Sequence, residues 1–73
     1  MQIERLIQMA NQIGAFFEAM PDQNQAAADV ASHIERFWDP RMRTALTDYV
    51  AADGDAGLKP VVRAAIRRIG NRR

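Results

Sequence analysis

Apolar residues recur every three or four positions through most of the chain, and no stretch reads as a strand. Ile3, Leu6, Ile7, Ala10, Ile13, Phe17 and Met20 make one stripe, which predicts a first helix over residues 3 to 20. Met9 and Phe16 flank and widen that stripe, while Glu4, Arg5, Gln8, Asn11, Gln12 and Glu18 take the other face. Pro21 ends the run. A second helix follows from about residue 23 to 38, with Ala27, Ala31, Ile34 and Trp38 in line and Val30 and Phe37 beside them. The third runs from Pro40 to about Ala52 on Met42, Ala45, Leu46, Tyr49 and Val50. The fourth starts near Pro60 on Leu58, Val61, Val62, Ala65, Ile66 and Ile69, and ends at Gly70.

The joints are written locally. Asp22 reads as an N-cap, with Gln25 three residues on as in a capping box. Asp39 precedes a proline, which pushes it to the extended geometry that an N-cap needs. Pro40 then takes the first helical position, where a missing N–H costs nothing. Gly54 is placed to end the third helix. Gly14 is out of keeping with a helix interior and costs about 1 kcal/mol relative to alanine. Close approach of another backbone would account for it, with Ala10 one turn earlier. Ala26 to Ala28 likewise suit a tight helix crossing. The fold expected is all-α, a small bundle of three to four short helices with tight turns. Residues 1–70 form a single helical domain and residues 71–73 a disordered basic tail.

Composition sharpens this. Of 73 residues, 48% are hydrophobic, but thirteen are alanine, so large core-formers are few. Four short stripes are not expected to cover Phe16, Phe17, Phe37 and Trp38 all at once, and the uncovered part would be a binding surface. Trp38 sits at the corner before Arg41 and Arg43, and Trp and Arg dominate interface hot spots. Phe16, Phe17, Phe37, Trp38, Arg41 and Arg43 are therefore the candidate partner-binding residues; a core Trp38 at a capped turn is the plainer reading of the same corner.

Candidate chemistry is sparse. There is no cysteine, which removes disulfides and thiolate metal sites and fits a reducing cytoplasm. His33 is the only histidine; Asp29 lies one turn earlier, close enough for a hydrogen bond, but no nucleophile has a setting beside it. Asp53 and Asp55 lack the other ligands of a calcium loop. No catalytic, cofactor or metal residue is assigned. Leader and membrane-span patterns are not seen. Net charge is +1, yet six basic residues and no acid lie from Lys59 onward. That basic helix raises a nucleic-acid-binding reading, which the seven acids between Asp22 and Asp55 oppose.

Three strings add a family likeness. Met9-Ala10-Asn11-Gln12-Ile13-Gly14 with Phe16-Phe17, then His33 with Phe37-Trp38-Asp39-Pro40-Arg41-Met42-Arg43, then Gly57-Leu58-Lys59-Pro60-Val61-Val62 span nearly the whole chain. Together they resemble the delta subunit of NAD-dependent, molybdenum-containing formate dehydrogenases. The segment Asp53 to Ala56 departs from the glycines usual in that family before Gly57-Leu58. The resemblance implies a cofactor-free accessory subunit of a cytoplasmic complex that oxidises formate to carbon dioxide and reduces NAD. It implies molybdenum–pterin, iron–sulfur clusters, FMN and NAD in the partner subunits. It also implies docking on the larger subunits, above all the catalytic alpha subunit, in support of assembly or stability. A maturation chaperone absent from the active enzyme, and a small nucleic-acid-binding regulator, are the alternatives.

Overall fold

The structure, a computed structural model, describes residues 2–54 and 57–71. Four helices follow in order: α1 (Ile3–Phe17), α2 (Gln23–Phe37), α3 (Pro40–Asp53) and α4 (Pro60–Asn71). No strand occurs among the described residues, so the all-α expectation holds.

The corners form as the local residues dictate. Asp22 accepts from the Asn24 and Gln25 amides at 3.0 and 3.1 Å, and Asp39 accepts from the Met42 amide at 3.0 Å. Gln25 does not complete the capping box; its Nε2 donates to Asp29 Oδ1 at 2.9 Å instead. α1 stops at Phe17, three residues short of expectation. Pro21 disfavours helical geometry at Met20, and the chain tightens through a bond from the Met20 amide to the Phe17 carbonyl. Gln23 then covers this end, its Nε2 donating to the carbonyls of Glu18 and Met20 at 3.0 and 2.8 Å. Gly54 closes α3 with φ 91° and ψ −176°, a conformation that side chains other than glycine's avoid. α4 continues through Gly70 to Asn71, one residue beyond the expected end. Arg72 and Arg73 of the expected tail, and Asp55, lie outside the described residues.

The core lies chiefly between α2 and α4. Ala26, Ala27, Val30, Ala31 and Ile34 of α2 face Val61, Val62, Ala65, Ile66 and Ile69 of α4, all buried. Small α2 side chains let the two helices approach closely, as the alanine run predicts. α1 contributes Leu6, Ala10 and Gly14, and α3 contributes Leu46. Thr47, absent from the expected stripe, is buried as well; its hydroxyl donates back to the Arg43 and Thr44 carbonyls at 3.0 and 3.1 Å.

Gly14 is tight, but not against the backbone its position suggested. A Cβ there would stand 2.5 Å from Val62 Cγ2 and 3.2 Å from Val61 Cγ1. The neighbours are side chains of α4 rather than its backbone. One turn earlier, Asn11 fastens the same seam: Nδ2 donates to the Gly57 carbonyl at 2.9 Å, and Oδ1 accepts from the Lys59 amide at 3.0 Å. Glu18 and Lys59 add an ion pair at 3.4 Å, too exposed to contribute much.

Candidate functional site

The side of α1 away from that seam is finished differently. Phe16 is 79% exposed and Phe37 71% exposed, the two large apolar side chains left in water among the described residues. Between them runs a line of rings joining α1 to α2. Phe16 meets Phe17 edge to face with centroids 5.0 Å apart, Phe17 meets His33 at 6.5 Å, and His33 meets Phe37 at 4.7 Å. Of these rings, Phe16, Phe17 and His33 line an open groove of about 480 Å³. Met9, Gln12 and Ile13 form its α1 wall, and Trp38 lies at its floor.

The six expected partner-binding residues are thus divided. Phe16 and Phe17 line the groove, and Phe37 lies beside it through the His33 ring. Trp38 joins them only as support, being 6% exposed and packed in the core, as the plainer reading of the corner had it. Arg43 turns inward, its Nη1 donating to the Glu35 carbonyl at 2.9 Å, which ties the start of α3 to the end of α2. Arg41 is exposed but lies on a separate shallow depression with Pro40, Thr44, Ala45 and Asp48. The tryptophan is spent on the core and Arg43 on a carbonyl. Gln12 was read as ordinary polar surface and is instead part of the groove wall. Its place one turn before Phe16 was the available signal.

The lining of the groove is mostly apolar and offers hydrophobic contact. Asp29 is occupied by Gln25, and His33 keeps company with aromatic rings. Among the described residues no group of three or more His, Cys, Asp or Glu could hold a metal ion, and no helix is long and apolar enough to cross a membrane. On the basic helix, Arg68 donates to the Asn24 carbonyl at 3.4 Å, holding α4 to the start of α2.

The three strings that carry the family likeness converge on this architecture. Asn11 and Gly14 of the first clasp Gly57, Lys59, Val61 and Val62 of the third, and the second forms the α2–α3 corner. A family model described as the NADH-dependent formate dehydrogenase delta subunit, FdsD, matches residues 5–66. The chain belongs to that family. The match to FdsD takes in α1, α2 and α3 almost whole and reaches Ile66 of α4, so the groove lies within it. No curated protein and no solved structure matches the chain. As an FdsD-family delta subunit it is a component of a formate dehydrogenase, and hence of a larger complex.

Proposed function

We propose that this FdsD-family chain is a non-catalytic, cofactor-free subunit. It docks on the catalytic alpha subunit of a cytoplasmic formate dehydrogenase and supports its assembly or stability. Formate oxidation and NAD reduction then belong to the larger subunits, with their molybdenum–pterin, iron–sulfur, FMN and NAD groups. The observation that carries this reading is the exposure of Phe16, which lines an apolar groove, and of Phe37, which packs on the groove's His33. Two phenylalanines left this bare are costly in water and are recovered when a partner covers them.

The test is co-purification with a tagged catalytic subunit. Replacing Phe16 and Phe37 together by serine should weaken capture by at least about 30-fold, the loss of a hot spot worth ~2 kcal/mol. Circular dichroism should show the variant as helical as the parent. Equal capture by variant and parent would remove the groove from the interface. Stoichiometry separates a resident subunit from a maturation chaperone: the active enzyme should retain one delta chain for each catalytic subunit.

A further inference from the structure

The charges of the chain are sorted along its length. From Lys59 onward stand six basic residues and no acid, while residues 1–58 carry four arginines against nine carboxylates. Val61, Val62, Ala65, Ile66 and Ile69 are buried against the other helices, so the cations of α4 are held to its outer side. Arg67 and Arg68 are exposed there and Arg63 is half-buried. Lys59, just before the helix, then Arg63 and Arg67 follow at intervals of four residues, about 6 Å apart along the axis. They make one edge of the outer side. Arg68 marks the other edge, beside the start of α2. Lys59 meets Glu18 at 3.4 Å in a pair open to solvent, and Arg68 donates to a carbonyl, which leaves its charge in place. Arg67 has a contact of its own within the chain.

We infer that the outer side of α4 is a second contact, which meets an acidic surface of the larger subunit and speeds its encounter with this chain. The inference rests on the reading above that the chain docks on that subunit: the groove holds the partner, and α4 draws it in. The two contacts are separate, because no α4 residue lines the groove among those described. A row of like charges along one helix sets up a field that reaches beyond contact and raises the rate of association with an oppositely charged face. Two other anionic partners fit less well. A basic amphipathic helix enters a lipid surface by its apolar side, and here that side is built into the core. A nucleic acid is a long polyanion, whereas α4 spans about 18 Å over its 12 residues. Beyond that length a strand would run on to the carboxylate-rich remainder of the chain. A local acidic patch on a protein can match α4 alone.

The experiment follows association and dissociation of the whole chain on an immobilised catalytic subunit by surface plasmon resonance, at about 0.02 M and about 0.3 M salt. The parent is compared with the double variant Arg63→Gln, Arg67→Gln and with Phe16→Ser, each checked by circular dichroism for parental helicity. The parent's association rate should fall about tenfold between the two salts. The double glutamine variant should associate about tenfold more slowly at low salt, respond little to added salt and dissociate at nearly the parental rate. Phe16→Ser should instead dissociate faster and keep the parental salt response. Arg63→Lys with Arg67→Lys should associate at the parental rate, since a field needs the charge and not the guanidinium. Equal association rates for the parent and the double glutamine variant at both salts would overturn the inference and leave the docking reading intact. An association rate of the parent that rises with salt would also overturn it, by showing a basic surface opposite α4. Binding of a mixed-sequence DNA duplex by the parent, lost in the double glutamine variant, would overturn it in favour of nucleic acid. Absence of binding by the parent to the catalytic subunit at both salts would overturn the docking reading itself.

Discussion

On one side of α1, Asn11 and Gly14 meet the loop and start of α4 with the polar groups paired and no room for a methyl group. On the other, Phe16 leaves most of its ring in water next to a groove. Both features belong to the same 15-residue helix, and Phe16 is only two residues past Gly14. Two residues turn a helix by about 200°, enough to go from the tightest contact to open solvent. The seam is complete within the chain. The ring face is not, and that contrast separates what the sequence spends on its own fold from what remains for a partner.

The contrast can be broken at four points, in decreasing order of expected effect on stability. Gly14→Val should be the most damaging, because its Cβ meets the stiff side chain of Val62 and its branches meet more of α4. Overpacking of this kind costs about 1–3 kcal/mol, and urea unfolding followed by circular dichroism would read it. A Gly14→Val variant as stable as the parent would show that α4 moves freely on α1. Asn11→Ala comes next. It strips partners from the Lys59 amide and the Gly57 carbonyl and should cost about 1–2 kcal/mol. Asn11→Asp sharpens this, since it can still accept from Lys59 but cannot donate to Gly57. It should fall between parent and alanine variant in the same titration. Asp39→Ala removes one cap and should cost about 1 kcal/mol, visible as a lower urea midpoint. Phe16→Ser should change stability by no more than about 0.5 kcal/mol, the range of surface substitutions. A large loss there would mean that the ring supports the fold, and the two sides of α1 would no longer differ in kind.

How much of this was legible follows from the range of each interaction. Asp22, Asp39-Pro40 and Gly54 act within a few residues of themselves, so their roles could be read directly. Gly14 was legible as a site of close approach but not as a contact of Val61 and Val62, because the sequence between them says nothing of which helix arrives. Asn11 was invisible as a clamp. Its partners lie 46 and 48 positions away, and on periodicity alone it is one polar residue among several. Phe16 was read as widening the apolar stripe, but the buried line is Leu6, Ala10 and Gly14, and Phe16 falls outside it. Trp38 could have served core or partner equally on its chemistry; only packing against the other helices decides for the core. Arg43 was read as a partner-binding residue, but its guanidinium donates to a main-chain carbonyl eight residues back, a contact that only the packed α2–α3 corner reveals.

The side chain of Gln23 has a further consequence. By bridging the carbonyls of Glu18 and Met20, it stiffens the elbow between α1 and α2. The helices that carry Phe16 and His33 consequently hold their spacing before any visitor arrives. An incoming partner meets a surface already set, so little ordering is left to be done at the moment of encounter. Changes at the rings should then be felt in how long the visitor stays rather than in how fast it comes.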